Sequence, residues 1–367
     1  MSFQINLLID NYADMILRSR LVIQGITEIA YQKKVPINTF FSLDTMIKAL
    51  RKERRRFVII ISESKIQSEK LLWYLSEKEI HPIFINEQFS DTSYSFSNVM
   101  PNLHFSFYKL TQLILKEFTE PSAFVGYNKD SIADKLRMDG FLKAVDEYGI
   151  KNHVYINNGD IDQCIHNVLA EKEKYKNIIC TNDVVALLLI KQMKEMNCDP
   201  MNFNITGYSN MKIGEFFKPS LTTIVSDYYS AGIMAVEVYV FLYKKKQIYN
   251  MYVNMDSDII FRESTHLKLR KIDLKHGNTN NDEMIDFYGN ESVKKMDSIE
   301  SMLLKCDDTD MGILHDLLND KTYEEIAENY FMAVNTVKYR LKKMEACLKI
   351  ANRKELYNYL KTYDLSF

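Results

Sequence analysis

The sequence predicts an α/β protein, with parallel sheets covered by helices on both faces, followed by a small all-α domain. Three observations carry this. Short apolar runs without alternation, such as Phe57–Ser62 (FVIIIS), are separated by amphipathic stretches as far as residue 267, the pattern of strands buried on both faces. Beyond Asp307 the apolar residues fall only at helical spacing. Charge is also polarised there, although 47 Lys and Arg nearly balance 49 Asp and Glu over the 367 residues.

Taken in order, Phe3–Ile9 is the first candidate strand and Ile16–Lys33 the first helix. Phe57–Ser62, a helix over Ser68–Glu79 and a strand over Pro82–Asn86 follow. After Ser106 come a helix, a strand at Ala123–Tyr127, a helix at Ser131–Tyr148, and strands at Val154–Ile156 and Asn177–Cys180. Such sheets bind ligands at the carboxyl ends of their strands. Polar groups close five apolar runs: Ser62-Glu63, Asn128-Lys129-Asp130, Asn157-Asn158, Thr181-Asn182-Asp183 and Ser226-Asp227. One polar strand end is ordinary; five together point to a cleft. The basic run Arg51–Arg56 reads as a solvated helix end.

The stretch Lys321–Leu356 is the most informative. Thr322 and Glu325 form a capping box, and Tyr323, Ile326, Ala327 and Tyr330 give the inward stripe of a short helix. After a break at Phe331–Ala333, a second helix turns Val337, Leu341, Met344 and Leu348 inward. Its remaining positions hold Asn335, Thr336, Lys338, Tyr339, Arg340, Lys342 and Lys343. Lys338, Arg340, Lys342, Lys343, Lys349, Arg353 and Lys354 are opposed locally by Glu345 alone, whereas the charged residues within 307–328 are mostly acidic. Two helices joined by a tight turn, the second basic, describe a helix-turn-helix suited to a major groove. Ala333 lacks the side chain that would cap the second helix.

Other classes find little support. Cys164, Cys180, Cys198, Cys306 and Cys347 are scattered, which fits free thiols in a reducing cytoplasm. The start shows no secretory signal, and the apolar run Ala231–Tyr243 is too short to span a bilayer. Nucleotide-binding, hydrolase and metal-ligand motifs are missing, so neither an enzyme, a cofactor nor a metal is expected.

Two resemblances refine this. Thr336-Val337-Lys338, Leu341, Leu348 and Asn352-Arg353-x-Glu355-Leu356 resemble the DNA-binding domain of LuxR/NarL-type response regulators. That resemblance implies base contacts by Lys338, Tyr339 and Lys342, with Arg340 and Lys343 nearer phosphates. Ile178-Ile179-Cys180-Thr181-Asn182-Asp183, Gly207-Tyr208, Pro219–Ile224 and Arg137-Met138-Asp139-Gly140-Phe141 resemble the sensor of LacI/GalR-family repressors, a two-lobed type I periplasmic-binding-protein fold. The usual N-terminal headpiece of that family finds no counterpart, since the first strand begins at Phe3. The resemblance implies Arg137 and Asp183 as principal ligand contacts, unless they instead pair with each other. It adds Arg18, in the segment replacing the family's Asn-Pro-Phe-Phe, and Tyr12 or Trp73 as the stacking ring. With the strand ends, the candidate ligand set is Tyr12, Arg18, Glu63, Asn128, Arg137, Asn157, Asn182, Asp183 and Asp227.

The expected organisation is a ligand-sensing domain over 1–267, a linker and connecting helix over 268–306, and a reader over 307–367. Lobe 1 takes about 1–104 and 228–254, and lobe 2 about 105–227 and 255–267. Val293, Met296, Ile299, Met302 and Leu303 make the connecting helix amphipathic, behind a polar linker at His276–Asp282. The expected function is a cytoplasmic one-component transcription regulator, a homodimer bound to promoter DNA. A small molecule, sugar-like by the resemblance, would bind in the interlobe cleft. The alternative is a ligand sensor that controls a protein partner through its C-terminal helices.

Overall fold

A computed structural model describes residues 3–9, 17–53, 55–62, 65–89, 93–267, 290–363 and 365. Tyr12, Glu63 and the linker His276–Asp282 lie outside the described residues. In chain order the first elements are β1 (Ile5–Ile9), α1 (Leu17–Gln32), β2 (Ile37–Phe40), α2 (Leu43–Leu50), β3 (Phe57–Ile61), α3 (Lys65–Ser76), β4 (His81–Ile85) and β5 (Ser97–Pro101). Next come α4 (Leu103–Leu115), β6 (Ser122–Tyr127), α5 (Ile132–Glu147), β7 (Asn152–Ile156), α6 (Ile161–Ala170), β8 (Asn177–Cys180), α7 (Asp183–Glu195), β9 (Asn204–Tyr208), α8 (Ile213–Phe216) and β10 (Thr222–Ser226). The chain continues through α9 (Tyr228–Lys244), β11 (Tyr252–Met255), β12 (Ser257–Ile260), α10 (Glu291–Leu303), α11 (Asp308–Leu318), α12 (Tyr323–Asn329), α13 (Val334–Leu348) and α14 (Arg353–Lys361).

These form two compact units, one of residues 1–102 and 226–257, the other of residues 103–225 and 258–367. The first unit holds a six-stranded sheet in the order β11-β5-β4-β3-β1-β2, with each neighbouring pair parallel. Strands β1, β3 and β4 are buried along their whole length, which is why they read as unbroken apolar runs. The other three strands carry no such signal, and β11 (YVNM) is a partly exposed edge. β2 is a half-exposed edge strand. β5 (SNVMP) is buried but polar: Asn98 donates to the Glu87 carbonyl at 2.6 Å, and the Met251 N–H donates to Ser97 at 3.0 Å. The basic run Arg51–Arg56 is not simply solvated. Arg55 donates to the carbonyls of Leu242 and Tyr243 at 3.2 and 2.6 Å, satisfying the C-terminus of α9.

The second unit holds a six-stranded sheet in the order β12-β10-β9-β8-β6-β7, with β10–β9, β9–β8, β8–β6 and β6–β7 parallel. The order reverses at β6, so the carboxyl ends of β6, β7 and β8 meet at a topological switch point. Helices α4 and α5 cross closely at Gly140, where a Cβ would come within 2.1 Å of the His104 carbonyl oxygen.

The C-terminal helices share the core of this second unit. Val293, Met296, Ile299, Met302 and Leu303 are buried on α10, and one apolar cluster joins them to Leu187, Ile190 and Ile213 on one side and to Ile313, Ile326, Val337 and Leu341 on the other. The stripe read as an amphipathic connecting helix therefore packs on both neighbours. Capping boxes open α11 (Asp307, Asp310) and α12 (Thr322, Glu325), and Asn352 caps α14. Ala333 makes no side-chain cap on α13.

Candidate functional site

The second sheet gathers several candidate residues at its carboxyl edge. Asn128, Asn157 and Asn182 follow the neighbouring strands β6, β7 and β8. Each turns its side-chain oxygen onto the backbone, accepting from Asp130 N at 2.9 Å, Gly159 N at 3.1 Å and Val185 N at 3.1 Å. These short-range bonds fix the loop ends. The amide N–H groups of Asn157 and Asn182 have no protein partner among the described residues.

Arg137, on α5, does not pair with Asp183. It donates to Asp134 at 2.6 Å, three residues back on the same helix, and its guanidinium lies 4.6 Å from the centre of the Tyr208 ring at the end of β9. Asp134 in turn accepts from the Asn128 N–H at 3.2 Å. The arrangement is a planar cation, an aromatic ring and amide groups on one edge. Asp134 and Tyr208 join the candidate residues only through the folded structure. The i, i+3 spacing of Asp134 and Arg137 was the available signal for the first. Of the residues considered for the aromatic role, Trp73 is exposed in the first unit. Arg18 and Asp227 also belong to the first unit, where Asp227 caps α9 by accepting from Ser230 N at 2.9 Å.

Asp183 is 1% exposed, and both its oxygens are occupied: Oδ1 accepts from Thr223 Oγ1 at 2.6 Å and Oδ2 from Met211 N at 2.7 Å. Gly207 packs against it so closely that a Cβ would sit 2.2 Å from Oδ1. Burial raises its pKa to about 7, against the stabilising bonds from Thr223 and Met211. The next two N–H groups of the same loop, Lys212 and Ile213, donate to Glu300 of α10, each at 2.8 Å. Burial pushes the Glu300 carboxyl up as well. Thus three consecutive N–H groups are held by two buried carboxylates, one from the sheet edge and one from the connecting helix. Ser292, at the start of α10, donates to Asp162 of α6 at 3.0 Å. A cleft of about 540 Å³ opens beside it, lined by Lys191, Gln192, Lys295, Tyr359 and Tyr363 among others.

On α13, Asn335, Thr336, Lys338, Tyr339, Lys342 and Lys343 are exposed. Arg340 is not free to serve as they do: it binds Asp307 at 2.9 Å and Asp310 at 2.7 Å, the N-cap and first turn of α11. Glu345, read as the local counter-charge, is buried, with burial raising its pKa. Lys338 and Arg353 lie 5.2 and 4.4 Å from the centre of the Tyr323 ring.

Residues 119–265 match the family described as a periplasmic binding protein-like domain. The two sheets carry a type I periplasmic-binding-protein-like fold. The chain is 24% identical over 225 residues to the HTH-type transcriptional regulator RegA of Clostridium saccharobutylicum, a stretch covering 58% of this chain and 66% of RegA. The crystal structure of the transcription regulator CcpA of Lactococcus lactis aligns with a TM-score of 0.56 at 18% identity, over 71% of this chain and 99% of CcpA. A LacI-family transcriptional regulator from Enterococcus faecium with bound ribose aligns with a TM-score of 0.53 at 17% identity, over 72% of this chain and all of that one (100%). At these identities the structural likenesses establish the fold alone.

Proposed function

We propose that the chain is a one-component transcription regulator in which a small molecule at the carboxyl edge of the second sheet modulates DNA binding by α12 and α13. The observation that carries this reading is the exposed polar and cationic face of α13, anchored by α10 to the unit holding Asn157, Asn182 and Arg137. Lys338, Lys342 and Lys343 supply positive charge for phosphates, and Asn335, Thr336 and Tyr339 offer groups that base edges can meet. Asn157, Asn182 and Arg137 supply donors, and Tyr208 a ring, which suits a hydroxyl-rich ligand such as a sugar. The likeness to RegA, a regulator by name, favours this role over an enzyme or a docking protein.

The test uses full-length protein and duplexes selected from a random library, with affinity read by fluorescence anisotropy across a salt series. The expected result is specific binding whose log–log salt slope reflects about 0.9 per phosphate neutralised. Lys342→Ala should weaken binding by about 1–3 kcal/mol if it meets a base. Arg340→Ala should instead act mainly on thermal stability, because its charge is committed to Asp307 and Asp310. Failure to select any duplex would reject the proposal.

A further inference from the structure

Helix α12 ends in a turn that normally calls for glycine. The Met332 N–H donates to the Ala327 carbonyl at 2.9 Å and the Phe331 N–H to that of Glu328 at 3.2 Å, the paired bonds of a Schellman turn. Phe331, the residue just beyond the helix cap Tyr330, takes φ +51°. A side chain there crowds the backbone, and glycine escapes the conflict by having no Cβ. Among the described residues, the other non-glycine positions with positive φ are Lys, Glu, Asn, Ser and Asp; Phe331 is the one apolar residue in the set.

Phe331 is also 98% exposed, more than any other large hydrophobic side chain described. Its ring packs on nothing among the described residues, so it gains no burial from them. The residue type is unfavourable for the turn and for the solvent-facing position at once. Strain kept at one point, with no return in packing, directs attention to a binding role.

The position identifies the partner. Phe331 stands two residues before Ala333, at the start of α13, the end at which a helix in the major groove presents its side chains to base edges. Asn335, Thr336, Lys338 and Tyr339 are exposed on the turns that follow, with Lys342 and Lys343 beyond. A second copy would bring the same cations against these and be repelled, whereas a polyanion is attracted. The first N–H groups of α13 lack a side-chain cap and favour a phosphate in the same place.

We propose that Phe331 reads DNA directly, its ring lying in the major groove against a thymine 5-methyl group. This rests on the DNA-binding function proposed above. It adds a specificity-determining residue outside the recognition helix, in a position where the turn by itself would select glycine.

The experiment compares wild-type protein with Phe331→Gly, both full-length, on the selected duplex and on duplexes with thymidine replaced one site at a time by deoxyuridine. Phe331→Gly should raise Tm, because the turn is relieved, and should lower specific affinity. Loss of the one critical methyl should weaken wild-type binding by about fourfold, the equivalent of one buried methyl group, and leave Phe331→Gly unaffected. If wild type and Phe331→Gly bind all duplexes alike, the assignment is overturned while DNA binding by α13 stands. An unchanged affinity with an altered oligomeric state would move the ring to a protein interface and equally overturn it. If wild type selects no duplex, the DNA-binding function and this assignment fall together.

Discussion

At the scale of single residues, the partners of charged groups decide their roles. Arg137 and Asp183 each resemble a ligand contact in sequence, yet Arg137 is bound to Asp134 and Asp183 holds the loop at Met211. The buried Asp183 has a consequence for stability. Unfolded, its carboxyl ionises near 3.8; folded, burial raises that to about 7, so the native state holds the extra proton between those values. Stability therefore falls as pH rises from about 4 to about 7, because the native state retains a proton that the unfolded state releases. Urea midpoints measured at pH 5, 6 and 7.5 should decline across the series. Asp183→Asn should give a shallower decline; equal slopes in the two proteins would contradict this account.

At the scale of elements, α10 is the decisive one. Its apolar stripe was plain from Val293, Met296, Ile299, Met302 and Leu303, and its single buried acid, Glu300, binds the loop that Asp183 also binds. A change at the sheet edge that moves the Met211–Ile213 loop must therefore move or strain α10, to which α13 is packed. Glu300→Ala would leave two N–H groups without their acceptor, at a cost of about 1–3 kcal/mol for each buried orphan. It should lower thermal stability and weaken the effect of the ligand on DNA affinity, while the selected duplex is still bound. Glu300→Gln, which keeps an acceptor oxygen, should lose less of both. A ligand response identical to wild type in Glu300→Ala would show that coupling runs by another route. Val293 and Ile299 are unsuitable for the same test, since both are buried and a charge there would break the core.

For the whole molecule, the expectation concerns assembly. One pair of helices covers a short stretch of groove, so specific recognition favours two copies on half-sites related by two-fold symmetry. Light scattering at micromolar concentration should report twice the mass of one chain, and the selected duplexes should be palindromic. A single-chain mass both free and on DNA would be incompatible with that assembly.

What the sequence by itself determined is what depends on neighbours along the chain. Apolar runs without alternation marked β1, β3 and β4 because both faces of each are covered, and the parallel α/β fold followed from their alternation with helices. Capping at Thr322 and the inward stripe of α13 were equally local, since a cap and its receiver lie three residues apart. The strands β2, β5 and β11 carry no such mark, because β2 and β11 are partly exposed edges and β5 buries polar side chains, Ser97 among them bonded to Met251 far along the chain. Tertiary structure alone decided which acid meets Arg340, that Glu345 is buried, and that the C-terminal helices share a core with the second sheet. It also decided that Phe331 stands in solvent. The physical reason is common to all four. Periodicity reports which face of an element turns inward, but burial and ion pairing depend on what the folded chain brings to that face from far along the sequence.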